Sequence, residues 1–90
     1  MRTMLIGYDL TRKGINSYLN LINEIHLFPH YWHHLDSTWM VKTNLNAVQV
    51  RDLLLAHMHA NDRLLVIDVT GRNWACYLLQ SAISWLHRYM

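Results

Sequence analysis

Short apolar runs alternate with polar punctuation along this chain, and the period of the apolar positions changes from one run to the next. The first run begins at Met4 and closes on Tyr8-Asp9-Leu10. It is too short for a helix and too continuously apolar for a strand with one wet face. The pattern therefore predicts a strand over Thr3–Asp9, central in a sheet and covered on both sides. A buried strand that finishes on a carboxylate puts that charge at the rim of a core, within reach of water and ligand. Leu10–Gly14 reads as a polar loop carrying Arg12 and Lys13, with Gly14 permitting a sharp change of direction.

Asn16 has N-cap chemistry, and Tyr18, Leu21, Ile22, Ile25 and Phe28 then recur at helical spacing. A helix is predicted over Ser17–Leu27, with Pro29 ending it. Tyr31–Lys42 is rich in aromatic and β-branched residues. It reads as two short strands, Tyr31–Leu35 and Thr38–Thr43, with a turn or bulge near Asp36-Ser37. Strict alternation puts Trp32 and His34 on one face and His33 and Leu35 on the other. Asn46 and Gln49 form a capping box, with Leu45 and Val50 as its hydrophobic staple. The helix that follows covers about Ala47–Met58, with Val50, Leu53, Leu54 and His57 along one face, and His57 and His59 near its negative end. Asn61-Asp62 is a turn. Leu64–Val69 is a further apolar strand ending near Asp68. From Trp74 or Ala75 to about Tyr89, helical spacing returns through Leu78, Leu79, Ala82, Leu86 and Tyr89.

The order strand, helix, strand, strand, helix, strand is the split-βαβ arrangement of an α+β, ferredoxin-like fold. Residues 1–90 are expected to be a single domain, with a βαββαβ core over 1–70 and an appended C-terminal helix over 74–90. Right-handed crossovers place the first and third strands in the centre of a four-stranded antiparallel sheet. The first two helices cover one face. The C-terminal helix, a second subunit, or both must cover the other.

Composition adds a partner. Hydrophobic residues make up 52% of the 90 positions and charged residues only 16%. A small domain has too much surface to hide four Trp, five Tyr and five Met by itself, so an oligomer is expected. The formal net charge of +2 is too small to point to nucleic acid. Seven His make the charge sensitive to pH. The single Cys76 excludes an internal disulfide and a cysteine-based zinc site, and suits a reducing compartment. No apolar stretch has the length of a signal-peptide core or of a membrane span, which needs ~20 residues. The expectation is a cytoplasmic protein with no membrane association.

Three segments in order, Ile6-Gly7-Tyr8-Asp9-Leu10, Leu35-Asp36-Ser37-Thr38-Trp39 and Ala47-Val48-Gln49-Val50-Arg51-Asp52, precede the Asn61-Asp62 turn. In this the chain resembles the CRISPR-associated Cas-two nuclease superfamily, and more closely the small bacterial proteins labelled SinR-family that are related to it. The resemblance covers residues 3–70, and the C-terminal helix only within the closer group. It implies a homodimer packed through its sheets, in which the Asp9 carboxylates of two copies face each other across the two-fold axis. A Mg²⁺ ion between them would activate water for attack on a phosphodiester of RNA or DNA. Asp9 carries over as catalytic residue and metal ligand. Ser37 matches the serine of the second segment, and Arg12 and Lys13 lie where they would meet phosphates. The chain also departs from the nuclease pattern. Its first helix has no Arg, Thr38-Trp39 replaces Val-Phe, and the tail is a helix where the family has a strand. The alternative function is a non-catalytic module that binds protein or nucleic acid in a toxin–antitoxin or defence-associated setting.

The ordinary alternatives stand beside these assignments. Asp9 can cap the loop amides of Thr11 or Arg12. One carboxylate is a poor Mg²⁺ site, so catalysis requires two copies of the chain. His30, His33, His34, His57 and His59 read as surface or rim histidines, because neighbours on a strand point to opposite faces and no Cys lies near. Trp32, Trp39, Trp74 and Trp85 read as interface packing rather than base-stacking platforms. Arg51, Asp52 and Arg63 read as solvated surface charges, and Cys76 as a buried, inert thiol.

Overall fold

The structure, a computed structural model, describes residues 1–12 and 18–90. Lys13, Gly14, the proposed cap Asn16 and the proposed helix start Ser17 lie outside the described residues. The elements are β1 (Arg2–Asp9), α1 (Leu19–His26), β2 (His30–Leu35), β3 (Thr38–Thr43), α2 (Ala47–Leu55), β4 (Arg63–Asp68) and α3 (Gln80–Tyr89). The strands form one antiparallel sheet in the order β2-β3-β1-β4. This is the ferredoxin-like α+β arrangement with a C-terminal helix, and β1 and β3 are central as the crossover rule requires.

Pleating assigns the core. Met4 and Ile6 of β1 and Trp39 and Val41 of β3 point to one face, where Leu21 and Ile25 of α1 and Val50 and Leu54 of α2 close over them. Tyr18 and Phe28, just outside α1, complete the stripe that the helical spacing marked. Leu53 of α2 is exposed, so the buried face of that helix is narrower than its apolar pattern. The α2 N-terminus is built as expected. The Asn46 carboxamide oxygen accepts from the Gln49 amide at 2.8 Å, and the Gln49 side chain accepts from the Asn46 amide at 2.9 Å. At its other end the helix stops at Leu55, and His57 lies 3.6 Å from Glu24.

The second face carries Thr3, Leu5, Gly7 and Asp9 of β1, in register with Lys42, Met40 and Thr38 of β3 and with Ile67, Leu65 and Arg63 of β4. Helix α3 covers the β2–β3 half of it, burying Ala82 and Leu86 against Trp32 and Met40. Three polar contacts fix the helix there. The Trp32 indole N–H donates to the Ala82 carbonyl at 3.1 Å. The Lys42 ammonium and the Thr3 hydroxyl both donate to the Tyr89 carbonyl, at 3.0 and 3.4 Å, and Lys42 also donates to the Thr3 hydroxyl at 2.7 Å. A cation at the last helical carbonyls also suits the negative pole of α3. His30 stacks on Tyr89 with ring centres 4.4 Å apart.

Three expectations are corrected. Helix α3 starts at Gln80 rather than at Trp74 or Ala75, because Trp74 and Leu78 pack against the second cluster from a non-helical segment, and Leu79 is extended. That segment leaves Cys76 exposed, where a buried thiol was expected. Asp36-Ser37 is the expected turn, but strict alternation fails inside β2, where the register shifts between Trp32 and Leu35. Trp32 pairs with Met40 and Leu35 with Thr38, so His33 and His34 together oppose the single residue Trp39. This bulge brings Leu35 onto the face of Trp32, and both line one cavity.

Candidate functional site at the end of β1

Asp9 is the last residue of β1 and is exposed on the second face of the sheet, on the side that α3 leaves uncovered. Its cross-strand partner is Arg63. The Arg63 guanidinium bonds backward to the carbonyls of Asn61 and Asp62 at 3.1 and 3.0 Å, which orients it along its own turn. The Asp36-Ser37 turn reaches the same end of the sheet, where the Ser37 carbonyl accepts the Tyr8 amide at 3.1 Å. Arg12 is exposed in the loop after β1. The fold thus brings Asp9, Arg12 and Ser37 to one end of the sheet, while Lys13 lies outside the described residues.

The capping role considered for Asp9 belongs to other groups. The Thr11 amide donates to the Asp62 carboxylate at 2.8 Å, and the Arg12 amide to the Tyr18 hydroxyl at 3.0 Å. The same Asp62 oxygen accepts from the Thr11 and Tyr18 hydroxyls, each at 2.8 Å, and the other accepts from the His59 amide at 2.8 Å. Burial pushes the Asp62 carboxyl up, but the amides of Thr11 and His59 and the hydroxyls of Thr11 and Tyr18 outweigh it. Together they hold the group well below the usual carboxylate range. The His59 ring meets Tyr18 edge-on, with centres 5.4 Å apart. Asp62 therefore ties the loop after β1 to the turn before β4, and Asp9 takes no part in the tie.

One chain does not fit a Mg²⁺ site. Among the described residues no group of three or more His, Cys, Asp or Glu is placed to hold a metal ion, and Asp9 alone offers a single carboxylate where Mg²⁺ demands near-octahedral oxygen coordination. The histidines are also dispersed. His33 stacks on Trp39 at 3.7 Å on one face, while His34 sits 5.2 Å from Trp32 on the other. Of the tryptophans, Trp32 and Trp39 are buried within the chain rather than held for an interface. Arg51 pairs with its neighbour Asp52 at 2.9 Å on the surface.

Beside Asp9 the uncovered half of the second face is apolar. Leu65 and Ile67 of β4 are 58% and 44% exposed. A Cβ built on Gly7, between Leu65 and Thr38, meets nothing within 4 Å. No helix among the described residues is long and apolar enough to cross a membrane. No family model matches the chain, and no curated protein or solved structure matches it either.

Proposed function

We propose that the chain is a non-catalytic interaction module of the Cas-two-like type, and that two copies associate through the β1–β4 half of the second sheet face. The observation that supports this is the bare strip of Gly7, Leu65 and Ile67, beside a strand end that carries one acid and one base. Apolar surface grouped on one flat face and rimmed by charge is the usual mark of a partner site. Asp9 and Arg63 make the strip self-complementary, because a two-fold packing can set Asp9 of each copy against Arg63 of the other. The charge order thus suits a second copy better than an unrelated partner. Light-scattering mass measurement across a dilution series tests the reading, and a monomer at every concentration would remove it.

A second reading, a metal-dependent endonuclease acting on RNA or DNA, is favoured by the exposure of Asp9 at the rim of the same strip. It requires two copies, since one chain lacks the donor set. Cleavage of labelled RNA and DNA with and without Mg²⁺, by the wild type and by Asp9→Ala, decides it. Cleavage that disappears in the variant supports catalysis, and cleavage that survives assigns the activity elsewhere. In a crystal of the dimer, two Asp9 carboxylates farther apart than about two Mg–O bonds of ~2.1 Å would also sink it.

A further inference from the structure

The half of the second face under α3 holds a feature independent of Asp9. Between the sheet and the segment that leads into α3 lies a cavity of about 260 Å³. Leu5, Trp32 and Met40 form its floor, Leu86 closes it from α3, and Trp74 and Leu78 lie against the same cluster. The cleft opens to solvent on one side and has room for roughly nine waters at ~30 Å³ each. Its size falls just below the ~300–1,000 Å³ typical of small-molecule pockets. Its lining is largely apolar, so water gains few partners there.

The polar residues of the lining are few, and Arg72 supplies the only charged side chain. Arg72 and its neighbour Asn73 are exposed, which puts them at the mouth. The Arg72 amide donates to the Val69 carbonyl at 3.1 Å, which fixes the backbone from which the guanidinium projects. Among the described residues that guanidinium enters none of the ion pairs, which involve Arg2, Arg51 and His57. An apolar cleft with a single cation at its mouth suits a ligand with a hydrocarbon body and one negative charge. A phosphate monoester carries nearly two charges at neutral pH and would leave one uncompensated. A carboxylate matches both the charge and the planar fork of the guanidinium.

We propose that this cavity binds a small amphipathic carboxylic acid, with its hydrocarbon body on Trp32 and Met40 and its carboxylate on Arg72. Cys76 lines the same cavity and is exposed to reagents, which supplies a reporter. The probe is octanoate, with 1-octanol as the uncharged control. Octanoate is expected to shift the indole N–H resonances of Trp32 and Trp74 and to slow alkylation of Cys76 by iodoacetamide. Arg72→Gln is expected to weaken octanoate by about tenfold or more, the size of one charge-assisted hydrogen bond, and to leave 1-octanol unchanged. Leu78→Trp, which fills the space, is expected to abolish both. Equal affinity of the wild type for octanoate and 1-octanol would overturn the proposal. So would unchanged octanoate binding by Arg72→Gln, or ligand-induced shifts confined to Leu65 and Ile67. Circular dichroism of both variants separates loss of binding from loss of fold.

Discussion

The Tyr18 hydroxyl donates to the Asp62 carboxylate at 2.8 Å across 44 positions of sequence. It joins the start of the first helix to the turn before the last strand. Because Tyr18 also accepts the Arg12 amide and Asp62 also accepts the Thr11 amide, the two side chains together satisfy the loop that follows β1. The two aspartates at this end of the molecule therefore have different work.

Substitution should separate them. Asp62→Ala strands two amides and two hydroxyls and is expected to lower stability by about 2–4 kcal/mol, since charge-assisted bonds are worth ~1.5–3 kcal/mol each and do not add fully. Tyr18→Phe removes one donor and one acceptor and should cost about 1–2 kcal/mol. Asp9→Ala should stay within about 0.5 kcal/mol, as for a surface change that breaks no network. Urea denaturation of the three variants checks the order.

Acid should weaken the fold through two carboxylates. Asp62 is held below its ordinary range, and Asp68 is brought down to about 2 by the Thr70 hydroxyl and amide and by Arg2. Both folded-state values lie below the unfolded ones, so the unfolded chain binds more protons as the solution is acidified. The stabilisation is complete above the unfolded value of about 4 and is lost as pH falls through 2 and below. The expected result is a Tm that is flat above pH 5 and falls steeply between pH 4 and pH 2, with a shallower fall in Asp62→Asn.

Helix α3 should loosen before the rest. Lys42→Met removes the donor to the Tyr89 carbonyl, and Trp32→Phe removes the donor to the Ala82 carbonyl. Each change is expected to cost about 1–3 kcal/mol. Amide exchange should accelerate over Gln80–Tyr89 and change little in β1 and β3.

The capping box at α2 offers a local control. Asn46→Ala should cost about 1 kcal/mol and raise exchange in the first turn of α2 alone, without altering α3.

Association should depend on the bare strip. Leu65→Lys and Ile67→Lys replace exposed side chains, so folding stability is expected to change by no more than about 0.5 kcal/mol. Both variants should be monomeric at concentrations where the proposed wild-type dimer forms, as read by light scattering. A wild-type mass retained in both would place the contact elsewhere.

The strands, the two core helices and the α2 cap were legible because each is specified by neighbours in sequence. Met4 and Ile6 alternate with Leu5 and Gly7, and Asn46 precedes Gln49 by three positions. The start of α3 was not legible. Leu78 and Leu79 fit the helical period, yet Leu78 packs against the second cluster from outside the helix and Leu79 is extended and 79% exposed. The extra residue in β2 was equally hidden, because the run His33-His34-Leu35 has no glycine or proline to mark it. Asp62 could be read only as a turn residue. Its partners Thr11 and Tyr18 lie 51 and 44 positions away, so no local pattern assigns it the tie to the loop after β1.

The paired residues His33 and His34 opposite Trp39 have a consequence for the outline of the sheet. An open sheet exposes unsatisfied amides and carbonyls along its two outer strands, and a flat outer strand is a template for another chain. On β2 the irregularity breaks the spacing of those groups, and three histidines crowd the strand, so a further strand would find no continuous ladder there. On β4 the pairing with β1 runs without interruption from Arg63 to Asp68. The two borders of the molecule are therefore unequal, and any lengthening of the sheet by another strand has only the β4 border open to it.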